Sequence, residues 1–399
     1  YWKLPTSVSL MKFRASLAQV GSGSTLPYRT DYYYQIADNG LYGPGVMTNP
    51  RVLPNPNLKP LITTTVELGL DLKMFKNRLN FDFAAYSGNT KNQILNRIID
   101  RSSGYDVAVY NVGRVDNKGI EIALNATPIS SKNFKWTVNG TFSANRNKIV
   151  ELADSAVVLR TGGFNNGGQI VATVGGSMGD LYGNGFLRSP DGQIVFDDAT
   201  GIPRINDEVK YLGNTIPLFR YSFGTGITIK QFTANVLFDA QLGAVGHSMT
   251  MTQLVRFGKA KVTLPGRTNG LIGNGVVENR DSDNRYNGTY RPNDVLATNV
   301  QGYYEAIGYN QAEGSIYSTD YIKFREANLT YSFDKKFLSR IRLTRMTLSA
   351  YGRNLFIWSP WPGFDPEFGT LSGSDIQQGF EVGQLPSTRT FGLRLVVGI

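Results

Sequence analysis

An all-β, membrane-spanning antiparallel architecture is predicted by three properties of the sequence. Its candidate strands are too long for an ordinary globular sheet, its connections alternate between short and long, and its strands sort apolar side chains to one face. Composition sets the frame. The 399 residues include 44 Gly and 12% aromatic side chains but only 18% charged ones, a mixture typical of β-proteins with many turns. No apolar run reaches the length of a transmembrane helix, so a β-barrel is the remaining way to cross a bilayer.

Period-2 alternation marks ten candidate strands, near residues 7–20, 62–75, 78–95, 112–128, 133–147, 217–230, 232–245, 320–333, 343–356 and 388–398. A typical globular strand has about 5–6 residues, whereas a tilted membrane strand needs about 9–11. Length favours the barrel. Short turns are expected at Phe75–Asn77, Ile129–Lys132, Lys230–Gln231 and Asp334–Ile341. Long connections are expected at Gly21–Leu61, Ile99–Asn111, Val150–Ile216, Gly246–Thr319 and Ile357–Ser387. Membrane barrels sort their connections this way, with short periplasmic turns and longer extracellular loops, whereas a soluble sandwich has no reason to. If Ile399 ends the last strand at the periplasmic rim, every short turn falls in the periplasm and every long loop outside.

The faces follow from the alternation. Phe391, Leu393, Leu395, Val397 and Ile399 share one side of the last strand, and Thr390, Gly392, Arg394 and Gly398 the other, with Val396 an exception. Ile120, Ile122, Leu124 and Ala126 likewise oppose Glu121, Asn125 and Thr127, and Phe134, Trp136, Val138 and Phe142 oppose Lys135, Thr137, Asn139 and Thr141. In a membrane barrel the apolar sets face lipid and the polar sets the lumen. A soluble sheet with one buried face would alternate as well, and strand length and loop sorting decide against it. The run "NVGRVDNKGIEIALNATPI", Asn111–Ile129, is long for even a membrane strand. Its outward face is apolar from Ile120 to Ala126, whereas both faces read as polar from Asn111 to Lys118, with Arg114, Asp116 and Lys118 on the lipid side. The membrane boundary is therefore expected near Gly119, with the strand continuing outside. Ten strands with such loops do not readily close alone, so the rest of the barrel is expected from residues preceding Tyr1 or from a second chain. No signal peptide is present and the opening "YWKLPTSVSL" reads as the approach to a strand, which suggests a mature or truncated chain.

Five segments carry a family resemblance: "NPNLKP" at Asn55–Pro60, "NVGRVDNKGIEI" at Asn111–Ile122, "YLGNTIP" at Tyr211–Pro217, "NLFIWSPWPGFDPE" at Asn354–Glu367 and "LPSTRTFGLRL" at Leu385–Leu395. In order and spacing they resemble the C-terminal half of SusC/RagA-like TonB-dependent transporters of Bacteroidetes, over nearly all of residues 1–399. The resemblance implies the closing ten strands of a 22-stranded outer-membrane barrel, filled by an N-terminal plug, capped by a SusD-like lipoprotein and energised through TonB. It implies import of oligosaccharide or oligopeptide, with transporter–lid pairs that could dimerise. The plug and the TonB-contacting segment are not among these residues. Ile399 stands where such barrels commonly end in an aromatic, and Leu61 and Val66 where an acid and Trp are common.

No constellation for catalysis is found. The single His247 follows "QLGAVG" with no second His and no Cys to share a metal, and no G-x-S-x-G, H-E-x-x-H or P-loop occurs. No cofactor is expected. The acidic runs Asp191–Gly201 and Asp281–Gly288 lack the spacing of a calcium loop and read better as turns. The absence of Cys excludes disulfides and fits an oxidising periplasm, though many cytosolic proteins share it. The net charge of +10 comes without a block of like charge, so nucleic acid is not an expected partner.

Aromatic clusters in the long loops are candidates for contact with cargo or lid: Tyr32, Tyr33 and Tyr34, then Tyr303 and Tyr304, then Trp361 and Phe364. The same rings could brace loops or join an interfacial girdle, the reading preferred for Trp358. Basic residues gather near the short turns, as at Lys76, Arg78, Lys132, Lys335, Lys336 and Arg340. Phosphate headgroups of the inner leaflet or a periplasmic partner could use them, but a solvated rim is the preferred reading, because exposed charge also keeps turns soluble and edges unpaired. Outer-membrane import is the reading favoured. A passive porin or adhesin barrel and a soluble glycan-binding or glycan-cleaving β-protein are the alternatives, the last requiring paired carboxylates in a cleft.

Overall fold

The structure, a computed structural model, describes residues 5–23, 27–36, 46–111, 113–152, 156–161, 168–283, 285–367 and 379–399. Ten strands form one sheet in chain order: β1 (Val8–Ser22), β2 (Leu61–Met74), β3 (Leu79–Lys91), β4 (Arg114–Ser130), β5 (Phe134–Glu151), β6 (Phe219–Ile229), β7 (Phe232–Leu242), β8 (Tyr321–Ser332), β9 (Arg345–Trp358) and β10 (Thr390–Gly398). Every neighbouring pair is antiparallel, so the wall is an up-and-down meander. Among the described residues neither the outer edge of β1 nor that of β10 has a partner strand.

The ten predicted segments correspond to these strands, with two corrections. The expected 232–245 strand ends at Leu242, where Gly243 (φ 81°) turns the chain into a separate strand, Val245–Ser248. The expected 78–95 strand ends at Lys91, because Asn92 takes a left-handed backbone (φ 56°) and turns the chain into a separate strand, Ile94–Ile98. Val112, at the start of the expected 112–128 strand, lies outside the described residues. The short turns lie where expected. In the first, Phe75, Lys76 and Asn77 are all left-handed (φ 53°, 58° and 65°), a conformation that reverses the chain within four residues of Met74.

Register turns each strand's alternation into continuous layers. One face carries the row Ile122, Phe142, Tyr221, Ala240, Ile322 and Trp358, and next to it Leu124, Gly140, Phe223, Phe238, Phe324 and Phe356. Phe238 and Phe324 stack at 4.7 Å across β7 and β8. The opposite face carries Ala123, Thr141, Ser222, Asp239 and Lys323 in a single row. Gly119 and Gly392 lie on this polar face because tyrosine rings lie over them: a Cβ on Gly392 would come within 2.5 Å of the Tyr351 phenol, and one on Gly119 would meet the Tyr86 phenol and the Ala144 carbonyl.

The long connections all leave one end of the wall and do not stay irregular. They build a four-stranded sheet (Ala156–Thr161, Gln169–Thr173, Asp180–Phe186 and Ile205–Asn214), further small sheets, and helices α1 (Met249–Arg256) and α2 (Val300–Gly308). A third helix, α3 (Lys335–Arg340), fills the fourth short turn at the other end. The inserted elements have their own core, in which Phe196, Val255, Val277, Ala297, Tyr303 and Tyr304 pack together. A second cluster joins this module to the wall: Val115 of β4 and Ile149 of β5 pack on Ala172 of the inserted sheet. The upper part of β4 is thus not polar on both faces as read from the sequence. Its inner face buries Val115, and that contact accounts for the extra strand length.

Candidate functional site: the polar face of the wall and its mouth

The polar face is a ladder of cross-strand hydrogen bonds. Thr141 and Ser222 hydroxyls meet at 2.7 Å, the Asn235 amide donates to Asn328 at 3.0 Å, and Thr330 and Ser349 hydroxyls meet at 2.8 Å. Such neutral donors and acceptors offer many weak contacts and no single tight one, a property suited to a surface from which a polar solute must leave.

At the end nearest the inserted module the ladder becomes ionic. Register shifts on both sides of Arg325 make a bulge in β8, and a bulge re-aims side chains. The Arg325 guanidinium grips Asp239 of β7 with two donors, at 2.7 and 2.5 Å, and reaches Glu367 at 2.9 Å. Lys323, with 4% of its side chain exposed, donates to Asp365 at 2.7 Å and also to Glu367, and its ammonium lies 4.7 Å from the Tyr321 ring centre. Tyr321 donates its hydroxyl to Glu367 at 2.7 Å. Burial alone would raise the Glu367 carboxyl, but the hydrogen bonds from Lys323 and Tyr321 outweigh it and hold the group below the usual range. The effect is mechanical: the Trp361–Glu367 segment is latched onto the polar side of β7 and β8. A second group, Arg14 with Asp71 and Asp82, ties β1 to β2 and β3 on the same face.

Between these groups lies a cavity of about 840 Å³, lined among others by Glu121, Thr141, Arg220, Ser222, Gln241 and Tyr321. Glu121 and Arg220 are exposed there, on one register row through Ser143, and neither forms an ion pair among the described residues. Among the described residues no group of three or more His, Asp or Glu is arranged to hold a metal. The acidic runs act as turns: the Asp197 carboxylate accepts from the Ala199 and Thr200 backbone, and Asp281 from Asp283 and Arg285.

The aromatic candidates separate into two groups. Tyr32 and Tyr34 are 65% and 71% exposed, Tyr33 meets Tyr28 edge-on at 5.8 Å, and Phe364 is exposed. Tyr303 and Tyr304 are instead core residues on α2, with the Tyr304 hydroxyl bound to the Pro265 carbonyl, and Trp361 is buried edge-on against Tyr317. These three rings brace the module and present almost no surface to a ligand. Helical spacing in "VQGYYEAIG" behind the cap Asn299 was the available signal for the first two. His247 is buried against Phe380, and burial pushes it down to about 4, with Glu381 opposing the shift. On the apolar face Ile120, Phe391, Leu393, Leu395 and Val397 are exposed, and Ile122 and Leu124 half-buried. Arg114 and Asp116 lie near each other, 3.6 Å apart, and Asn89 donates to Asp116 at 2.5 Å.

The family model described as TonB dependent receptor-like, beta-barrel, matches residues 2–355. The chain belongs to this family. Among curated relatives, TonB-dependent receptor P3 of Formosa agariphila is 25% identical over 99% of this chain and 40% of its own length. TonB-dependent receptor SusC of Bacteroides thetaiotaomicron is 24% identical over 86% of the chain and 32% of its own length. The chain thus spans 32–40% of the length of the curated relatives it matches. Among solved structures, the RagAB peptide transporter superposes with a TM-score of 0.73 over 100% of this chain and 42% of its own, at 15% identity, which shows a shared fold. TonB-dependent receptor barrels are outer-membrane proteins, and the apolar and polar faces of this wall have the chemistry that such a barrel needs outside and inside.

Proposed function

We propose that residues 1–399 form the C-terminal wall and external loops of an outer-membrane importer of the SusC type. It takes up oligosaccharide or oligopeptide under a SusD-like lipoprotein cap and draws energy through TonB. The observation that carries this reading is the ten-strand meander, apolar on one face and hydrogen-bonding on the other, in a chain of the TonB-dependent receptor family. In this reading Ile120, Ile122, Leu124, Phe391, Leu393, Leu395 and Val397 face lipid. The polar ladder and the cavity near Glu121 and Arg220 face the lumen. Of the aromatic candidates, Tyr32, Tyr33, Tyr34 and Phe364 are exposed enough to meet cargo or cap. The chain performs no bond chemistry, and its family consists of transporters. Capture beneath the cap is followed by plug movement driven from the inner membrane, with pairs of transporter and cap as the unit that could dimerise.

Two measurements test the reading. The full-length protein should require detergent for extraction, and release in plain buffer would sink the membrane assignment. Mass spectrometry of the detergent-purified complex should show a cap lipoprotein and either a peptide ladder or hexose oligomers. A peptide ladder would remove the glycan option, and sugar the peptide one.

A further inference from the structure

The charges of the wall are distributed unevenly between its two ends. At the end of the inserted module several cations are paired, as in Arg188 and Lys210 with Glu313, Arg204 with Glu278, and Arg280 with Asp198, beside others such as Arg220, Lys259 and Lys261 that form no ion pair among the described residues. The four short turns are different. The first carries Lys76 and Arg78, the second Lys132 and the third Lys230. The fourth carries Lys335, Lys336, Arg340 and Arg342, and Asp334 is the single acid among all four. Every one of these cations is exposed, and none forms an ion pair among the described residues. The Asp334 carboxylate is already engaged, accepting from the Lys336 backbone at 2.9 Å as the cap of α3.

Immediately beside these cations, on the apolar side, runs a chain of aromatic contacts. Phe232 meets Tyr331 at 4.9 Å, Tyr331 meets Phe333 at 4.9 Å, and Phe333 stacks on Phe337 of α3 at 5.6 Å. Phe232, Phe337 and Ile341 remain exposed. Aromatic belts mark the level where hydrocarbon gives way to headgroups, and cations just beyond such a belt lie at phosphate depth. A soluble protein partner would also be drawn by the charge, but the exposed apolar and aromatic belt favours a lipid surface.

We infer that the short-turn rim binds anionic phospholipid headgroups of the leaflet it faces, with the belt from Phe232 to Phe337 inserted and the cations of the four turns on the phosphates. This rests on the proposed orientation of the wall in a membrane. The test is native mass spectrometry of the full-length protein in detergent with equal phosphatidylglycerol and phosphatidylcholine. Wild type should retain phosphatidylglycerol preferentially, and K335Q/K336Q/R340Q/R342Q should reduce the preference by about tenfold or more, with K76Q/R78Q reducing it less. Heat-modifiable migration in gels checks that each variant is a folded barrel. A Lys-to-Arg set at positions 335 and 336 should keep the preference and shows that charge, not side-chain identity, is read.

Equal retention of both lipids by wild type overturns the inference, as does a preference that survives both glutamine sets. Displacement of the lipid by inorganic phosphate at matched concentration also overturns it, because the rim would then be a site for the free ion. A heat-modifiable, detergent-dependent barrel with no lipid preference leaves the importer reading intact and removes only this inference.

Discussion

Lys323 should be the most costly single side chain to lose at the mouth of the wall, because its ammonium meets two carboxylates while 4% of it is exposed. Its partner Asp365 is 9% exposed, and removing one member of a buried pair typically costs about 3–5 kcal/mol because the other charge stays buried. K323M is therefore expected to release the Trp361–Glu367 segment from β7 and β8. Hydrogen exchange should rise at residues 359–367 and stay unchanged at the short turns, and unaltered protection at 359–367 would show that Lys323 does not hold the latch and that Arg325 and Tyr321 suffice. His247 makes a different prediction. Its folded value is pushed down to about 4 by burial, below the 6.5 of the unfolded chain, so the unfolded chain takes up the proton first as pH falls. Stability of the inserted module is then complete above about 6.5 and declines by about 2 kcal/mol by pH 5. Glu381 is also held below its ordinary value, burial being outweighed by hydrogen bonds from Thr250, Gln384 and Ser248, so its contribution is lost only below about 4.5. The window above pH 5 therefore isolates the histidine. Exchange at Val245–Ser248 and Phe380–Glu381, corrected for intrinsic rates, should accelerate from pH 7 to 5 in the wild type and not in H247F.

At the scale of elements, the pairing of β3, β4 and β5 depends on a close approach at Gly119. A side chain there would meet the Ala144 carbonyl at 2.7 Å and the Tyr86 phenol, whose hydroxyl is hydrogen-bonded to Asn145 at 3.3 Å. G119V should cost about 1–3 kcal/mol and lower the temperature at which the folded band converts in heated gels, whereas the same change at Gly23, which has nothing within 4 Å of its Cβ position and no left-handed backbone, should not. The strands themselves were readable because one apolar and one polar face impose a strict period of two over long stretches, as in Phe391–Val397. The inserted module was not readable for the opposite reason. Gln169–Thr173 and Asp180–Phe186 are short and covered on both faces, so "QIVAT" and "DLYGNGF" show no alternation. The ionic latch left almost no local signature, since Asp239, Lys323 and Glu367 are far apart in sequence and meet only through register and a bulge. The aromatic candidates were divided by packing: α2 turns Tyr303 and Tyr304 into the core, while Tyr32 and Tyr34 stay exposed.

For the whole molecule, the long strand β4 sets the depth of the wall. Its apolar face starts at Ile120 and, through a register shift opposite Trp136 and Val138, still carries Ile129 on the side of Trp136. At about 3.4 Å per residue and a tilt of about 45°, ten residues give about 24 Å, which matches the roughly 25 Å apolar band of outer-membrane barrels. The cations of the short turns lie just beyond one end of that band, and Arg114, Asp116 and Lys118 just beyond the other. A boundary near Gly119 therefore predicts opposite labelling for residues on one face of one strand. Lys118 and Leu124 both point outward, about 20 Å apart along β4, and this chain has no Cys to confuse the readout. On intact cells a membrane-impermeant maleimide should label K118C rapidly and L124C at least about tenfold more slowly, because the thiolate that reacts cannot form in hydrocarbon. After detergent extraction in a short-chain micelle the difference should narrow, since a micelle shields the band less completely than a bilayer does. Equal labelling on cells would move the boundary below Leu124 and leave an apolar band too short to span. Labelling of neither would place the boundary beyond Arg114, and the Arg114–Asp116 pair would then be a buried ion pair in lipid.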